Sequence, residues 1–220
     1  MPDEPRYDAV LFDNDGVIVE RTSVETLTPA IREAFRDVGV AAPDPEHVEY
    51  CLRGRMDDLE AICREYGIDY ETFWDRRERH VLDAQLTVIE SGEKALYDDV
   101  AVVDEIGADC AIVSNNQDET VEFVVDHHGL ADRFDPAIGR EMSIAGIRRK
   151  KPEPDLLEDA LTALGTETAL YVGDSATDVS AAHAAGIDSA YLDRPQHDPE
   201  PLDSEPTHRI ADLTELREVV

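Results

Sequence analysis

The 220-residue chain carries 51 acidic and 20 basic side chains, a formal net charge of −31. That surplus disfavours a nucleic-acid partner, because phosphate backbones are bound by basic surfaces, and no apolar run approaches the length that spans a membrane. The length fits one large domain, or a core domain carrying a small insert.

The opening Met1-Pro2-Asp3-Glu4-Pro5-Arg6 has no basic region followed by an apolar one. No signal peptide is expected, and the reading is a soluble, cytoplasmic protein. Cys51, Cys63 and Cys110 are odd in number, scattered and without metal-site spacing, so they read as reduced thiols, with Cys110 in the core. The acids are spread over the whole chain, and lysine is confined to Lys94, Lys150 and Lys151. Acid-rich, lysine-poor surfaces resemble those of proteins from salt-loving archaea, where high salt screens self-repulsion. Loss of structure in dilute buffer is expected; a melting temperature indifferent to molar salt would count against this.

Residues 7–12 read as a buried strand that ends in Asp13-Asn14-Asp15-Gly16. Two carboxylates two residues apart can face the same side. In an open α/β sheet the carboxyl ends of the strands form the ligand rim. Asp, Asn and Gly are also ordinary turn formers, so this stretch alone is equally an acidic turn.

A helix is predicted over 23–38, with Val24, Leu27, Ile31, Ala34, Phe35 and Val38 at helical spacing and Gly39 as its stop. Pro43 and Pro45 break the chain. Helical patterns without a strand follow at 46–52, 56–66 and 70–86. An all-helical insert after the first strand suggests a small bundle capping the site, over 21–90, with the core domain formed by 1–20 and 91–220. Within the insert, Arg53-Gly54-Arg55 could reach an anionic substrate or could be a solvated loop. Tyr70, Phe73 and Trp74 read as bundle core, and His80 as a surface helix residue.

A helix over 97–106 leads to a buried strand at 110–113, which ends in Ser114-Asn115-Asn116 before a helix over 118–128. A hydroxyl and an amide at a strand end, next to a helix start, can bind an anion; the same residues also serve as simple caps. A short strand at 134–138 and a loop over 139–146 precede Arg148-Arg149-Lys150-Lys151, the densest basic cluster. Pro152 and Pro154 suit entry into a helix over 155–164. A lysine held there, facing carboxylates, could neutralise charge on a transferred phosphoryl group. Residues 169–172 form another buried strand, ending in Gly173-Asp174-Ser175-Ala176-Thr177-Asp178, with a helix through Ala185. A strand at 187–192, a Pro- and Asp-rich loop over 193–207, a short strand at 210–212 and a closing helix over 213–220 complete the chain.

Strand–helix alternation of this kind predicts an α/β fold with a doubly wound parallel sheet. Asp13, Asp15, Asp174 and Asp178 offer oxygen only, which favours a hard cation such as Mg²⁺. A carboxylate neutralised by Mg²⁺ and a lysine can attack phosphorus, forming an aspartyl-phosphate.

Four motifs in order, Asp13-Asn14-Asp15-Gly16-Val17, Ser114, Lys151-Pro152 and Gly173-Asp174-Ser175-Ala176-Thr177-Asp178, make the chain resemble the haloacid dehalogenase superfamily, in its branch with a helical cap after the first strand. The resemblance covers nearly the whole chain and implies roles. Asp13 would be the nucleophile and a Mg²⁺ ligand. Asp15 would be the acid for the leaving alcohol and then the base for water, with its backbone carbonyl on Mg²⁺. Ser114 and the backbone N–H of Asn115 would hold phosphoryl oxygens. Lys151 would neutralise Asp13 and the phosphate; Lys150 competes for that role, but Lys151 directly precedes Pro152. Asp174 would bind Mg²⁺, and Asp178 would complete or orient its shell.

Dehalogenases of the superfamily usually lack the second motif aspartate, so Asp15 favours phosphate chemistry. Asp-Gly-Val-Ile and Lys-Pro-x-Pro-Asp occur in mutases of the β-phosphoglucomutase type, whose last motif tends to carry Glu where this chain has Gly173. Phosphoglycolate-phosphatase-like members resemble it more closely. The expectation is a Mg²⁺-dependent phosphatase acting on a small phosphorylated metabolite. The alternatives are a phosphosugar mutase and, from another class, a non-catalytic phosphate-binding module. Monomer and homodimer stay open.

Overall fold

The computed structural model describes residues 6–53, 56, 58–196 and 201–220. In chain order, strand β1 (Ala9–Phe12) is followed by helices α1 (Val24–Asp37), α2 (Pro45–Leu52), α3 (Leu59–Tyr66) and α4 (Tyr70–Glu90). Then come β2 (Asp109–Gln117), α5 (Asp118–His128), β3 (Ala137–Arg140), α6 (Ile144–Arg148), α7 (Asp155–Leu164), β4 (Ala169–Gly173), α8 (Ala176–Ala184), β5 (Asp188–Leu192) and β6 (His208–Ile210). The chain divides into two compact units. One holds the described residues of Met1–Arg21, Ala95–Arg140 and Arg148–Val220; the other holds those of Thr22–Lys94 and Glu141–Ile147.

The first unit is an α/β fold around a parallel sheet of order β3-β2-β1-β4-β5-β6. Val10, Leu11 and Phe12 are wholly buried, as are Ile112, Val113, Leu170 and Val172. These apolar runs suit strands covered on both faces. On one face Leu11, Ala111, Val113 and Tyr171 pack with Leu156 and Leu157 of α7 and Ala181 of α8. Phe12 meets the ring of Phe134 edge-on at 5.6 Å. Phe12 pairs with Ile112 on one side and Val172 on the other. The residues that follow each of these strands therefore emerge at one rim. Strand order reverses between β1 and β4, the switch point where such sheets bind ligands.

The second unit is all helical. Ser23 caps α1 by accepting from Thr26 N at 3.1 Å, and Asp69 caps α4 by accepting from Thr72 N at 2.8 Å. Its core joins Ile31 and Phe35 of α1 to Phe73, Trp74 and Val81 of α4, with Cys51 and Cys63 buried among them. The Arg77 guanidinium lies over the Trp74 ring, 5.1 Å from its centre. Phe73 and Trp74 are thus core residues, as their spacing predicts, and His80 reaches Asp37 at 2.9 Å on the outside of the bundle. Among the described residues no helix is long and apolar enough to cross a membrane.

Several boundaries differ from expectation. The expected loop over 139–146 instead finishes β3 and starts α6, whose Ile144 and Ile147 pack on the helical core. Residues 141–147 therefore join the helical unit, and its other limits fall at Thr22 and Lys94 rather than 21 and 90. The helices expected over 97–106 and 213–220 are 3₁₀ turns at Asp98–Glu105 and Leu213–Glu218. The last strand lies at His208–Ile210, two residues before its expected start. In the basic loop of the helical unit, Arg53 pairs with Glu49 at 2.6 Å on its own helix, while Gly54 and Arg55 lie outside the described residues.

Candidate active site

The rim above β1 and β4 collects the first and last motifs. Asp13 continues β1 by donating its N–H to Val172 O at 2.9 Å. The main-chain carbonyl of Asn14 accepts from Ile18 N at 2.9 Å and Val19 N at 3.0 Å, closing a tight turn around Asp15 and Gly16. Gly16 has φ +87°, and a Cβ there would stand 1.8 Å from Asp174 Oδ2. Only glycine permits both the backbone angle and this approach of the first loop to the last motif.

Lys151 is the hub. It is 1 % exposed, and its Nζ lies 2.9 Å from Asp13 Oδ1 and 2.7 Å from Asp178 Oδ1. Nζ also donates to Tyr171 Oη at 2.5 Å, and Tyr171 in turn donates to Val113 O at 2.8 Å. Burial alone would favour a neutral amine, but Asp13 and Asp178 outweigh it and hold the pKa at about 12. The lysine is placed by its own main chain: Asn115 Oδ1 accepts from Lys151 N at 2.7 Å, and Asn115 Nδ2 donates to Lys151 O at 3.0 Å. The side chain of Asn115 is thereby committed to Lys151. Of the basic cluster, Lys151 alone is buried; Arg149 turns outward to Asp155 and Asp159.

Asp13, Asp174 and Asp178 each place a carboxylate oxygen within 4.8 Å of the others, and all three are buried. Asp178 also closes a capping box with Ser175 at the start of α8. Burial first, then Asp178 and Asp174, push Asp13 up to about 7 against the pull of Lys151. Burial pushes Asp174 up to about 6, opposed by Arg21. Three buried carboxylates offering oxygen alone could hold a hard divalent cation, whose charge would relieve the crowding that raises them.

Ser114 ends the apolar part of β2, buried, with its Oγ accepting from Asn116 N at 3.1 Å. Asp15, half-buried, stands across from it, its Oδ2 accepting from Asn14 Nδ2 at 3.2 Å and Asn116 Nδ2 at 2.9 Å. The structure thus brings all the sequence-predicted residues, Asp13, Asp15, Ser114, Asn115, Lys151, Asp174 and Asp178, to one rim.

Four residues there were not singled out from sequence in these roles. Arg21 donates from Nε and Nη2 to Asp174 Oδ2 at 3.0 and 2.7 Å. Asn116 is the amide on Asp15. Arg140 donates to Asn115 O at 2.9 Å. Arg194, buried, donates to Gly16 O and Val17 O at 3.0 Å each and pairs with Asp99 at 2.8 Å, its guanidinium 3.8 Å from the Tyr97 ring centre. Arg194 comes from a Pro- and Asp-rich stretch that reads as loop. A basic residue two positions past the end of a buried strand was the one available signal.

Residues 7–186 match the haloacid dehalogenase-like hydrolase family. A phosphoglycolate phosphatase of Vibrio cholerae is 31 % identical over 96 % of each chain. An (S)-2-haloacid dehalogenase of a Pseudomonas species is 30 % identical over 74 % of this chain and 66 % of its own. Among solved structures, a CbbY variant from Rhodobacter sphaeroides in complex with xylulose-(1,5)bisphosphate superposes with a TM-score of 0.68, at 23 % identity and 93 % coverage of both chains.

Proposed function

We propose, from the premise that this chain belongs to the haloacid dehalogenase-like hydrolases, that it is a Mg²⁺-dependent phosphatase of a small phosphomonoester, working in the cytoplasm through an aspartyl-phosphate on Asp13. The observation that carries the reading is the pairing of a nucleophile held by Lys151 with a second carboxylate, Asp15, two residues on. A halide leaves without a proton and has no need of Asp15, whereas an alcohol must take up a proton as it leaves. The phosphoglycolate phosphatase relative supports a small, acidic alkyl phosphate as substrate. Sequence in the helical unit would then set which one, with that unit acting as a cap.

Asp13 supplies the attacking oxygen, its charge balanced by Lys151 at 2.9 Å. Ser114 Oγ and the Asn115 N–H hold phosphoryl oxygens. Asp15 gives its proton to the leaving alkoxide and then takes one from the water that cleaves the acyl-phosphate. Asp13, Asp174 and the main-chain carbonyl of Asp15 would hold Mg²⁺, with Asp178 shaping the shell. When bound, the ion supplies countercharge to the phosphoryl oxygens. Asp178 also pairs with Lys151 Nζ at 2.7 Å, so its loss is expected to disturb lysine and metal together.

Gly173 speaks for the phosphatase over the mutase. A Cβ there would lie 2.3 Å from Asp178 Cβ, so this backbone does not accept the glutamate common in the mutase branch.

The direct test is release of phosphate from p-nitrophenyl phosphate and from a panel including 2-phosphoglycolate, hexose phosphates and nucleoside monophosphates, with Mg²⁺ in molar KCl. Silence across the panel overturns the reading. Asp15→Asn is expected to cost roughly 10²–10⁴-fold on alkyl phosphates and far less on p-nitrophenyl phosphate, whose leaving group needs no proton. Equal loss on both substrates would point to a structural role.

The metal has its own signature. Asp13 at about 7 and Asp174 at about 6 both lie above the ordinary 3.8 of the unfolded chain. Below about pH 4 both states carry these protons and nothing changes. Between about pH 4 and 7 the unfolded chain releases protons that the native chain keeps, so metal-free stability falls as pH rises through that window. Mg²⁺ binds the deprotonated carboxylates. Its stabilisation in a melting experiment against EDTA is therefore expected to be small near pH 5 and several degrees near pH 8. An equal shift at both would remove these carboxylates as the site.

A further inference from the structure

A buried arginine spans the main chain of the first loop. Arg194 donates from Nε to Gly16 O and from Nη2 to Val17 O, at 3.0 Å each. Its Nη1 and Nη2 also donate to Asp99 Oδ2 and Oδ1, at 2.8 and 3.0 Å. The guanidinium lies over the Tyr97 ring, 3.8 Å from its centre. Both residues that hold it are themselves fixed. Asp99 Oδ2 accepts the Leu213 N–H at 2.9 Å, and the Tyr97 N–H donates at 3.1 Å to Ile18 O, one residue past the clamped carbonyls. The turn satisfies its other groups from within: Gly16 N donates to Val19 O at 2.7 Å, and Asn14 O accepts from Ile18 N and Val19 N. The Gly16 and Val17 carbonyls are the two that Arg194 takes. Gly16 also abuts Asp174, where a Cβ on it would stand 1.8 Å from Oδ2. One residue is thus held by Arg194 through its carbonyl and meets Asp174 through its Cα.

The peptide that enters Gly16 carries the main-chain carbonyl of Asp15. We propose that Arg194, held by Asp99 and Tyr97, is a positioning residue for the metal: it keeps the Asp15 carbonyl at a fixed separation from Asp174 and so raises the affinity of the chain for Mg²⁺. This rests on the phosphatase reading above, which gives that carbonyl to the ion together with Asp13 and Asp174. Mg²⁺ demands near-ideal octahedral geometry, so a carbonyl free to swing is a poor ligand for it. Groups that orient ligands from behind carry about 10- to 100-fold in metal affinity. The task calls for arginine. Its N–H groups lie in one rigid plane and serve two carbonyls and both oxygens of a carboxylate at once, whereas the three donors of a lysine radiate from a single nitrogen. The charge of Arg194 is offset at contact by Asp99, which leaves the shape of the fork as its contribution.

The experiment titrates Mg²⁺ calorimetrically into folded wild-type and variant protein at pH 8, with a metal-free melt of each preparation. Arg194→Lys keeps a cation facing Asp99 and loses the fork. It is expected to raise the Kd for Mg²⁺ about 10- to 100-fold. The double variant Arg194→Met with Asp99→Asn removes both charges, so that neither is left buried without its partner. It is expected to raise the Kd over the same range, and it decides the matter if Arg194→Lys does not melt cooperatively. Both variants leave the net charge of the clamp unchanged, so a change in Kd reads geometry. A role confined to stability would lower the melting temperature and leave the Kd of the folded protein as it was. A Kd within about twofold of wild type therefore overturns the proposal while leaving the phosphatase reading in place. A wild-type chain that takes up no Mg²⁺ overturns the metal part of that reading, and the proposal with it.

Discussion

Asp13→Asn is expected to reduce turnover by on the order of 10⁶-fold, the scale seen when a hydrolase loses its covalent nucleophile, while the protein still folds. The amide is nearly isosteric and keeps the main-chain bond from Asp13 N to Val172 O. It also removes one of three buried carboxylates that crowd one another. The variant should therefore melt no lower than wild type in metal-free buffer above pH 7, where Asp13 would otherwise be forced into its charged form. Phosphate release and a melting curve on the same preparation check both halves. Turnover within about tenfold of wild type would remove Asp13 as the nucleophile, since no uncatalysed route is that fast.

Lys151→Met is expected to be damaging in a different way. The side chain keeps its volume but takes away the ammonium that lies against Asp13 and Asp178. Breaking a buried ion pair from one side costs about 3–5 kcal/mol, because the remaining charge is left without its partner. For a chain of this size that corresponds to a drop of about 10 °C in melting temperature. The loss should be larger at pH 8 than at pH 5. The lysine itself titrates far above this range, at about 12, so the dependence comes from the carboxylates, which can take up protons at pH 5 and shed the repulsion. Mg²⁺ should recover part of the stability and none of the lysine's contribution to catalysis, leaving kcat reduced at least about 10²–10³-fold. A Lys151→Met protein as stable as wild type at pH 8 would mean that the carboxylates find another countercharge in the folded chain.

The strands that carry the site were legible because each is a short apolar run stopped by a polar residue. Val10-Leu11-Phe12 stops at Asp13, Ile112-Val113 at Ser114, and Tyr171-Val172 at Gly173-Asp174. Burial on both faces of the sheet leaves that mark on the sequence itself. The segment from Gly139 to Gly146 was read as a loop because an edge strand of four residues and a helix of five are too short to establish a period. The 3₁₀ turns fell to the same limit. The site residues that sequence missed have partners far along the chain. Arg194 acts on Gly16 across 178 positions, and Asn116 on Asp15 across 101. Their roles depend on which strands are neighbours, which local pattern does not encode. Asn115 shows the converse. Its place in the motif was legible, but the clasp of its side chain on the Lys151 backbone depends on the approach of two loops.

The chain has a single tryptophan, and it lies in the core of the helical unit. Its emission is therefore a built-in optical gauge of that unit alone, while every carboxylate of the site belongs to the other. Following tryptophan fluorescence as Mg²⁺ or phosphate is titrated turns this accident of composition into a measure of thermodynamic communication. A melt that moves when the carboxylate rim is loaded reports two units unfolding as one cooperative block. A melt that stays put reports two independent ones.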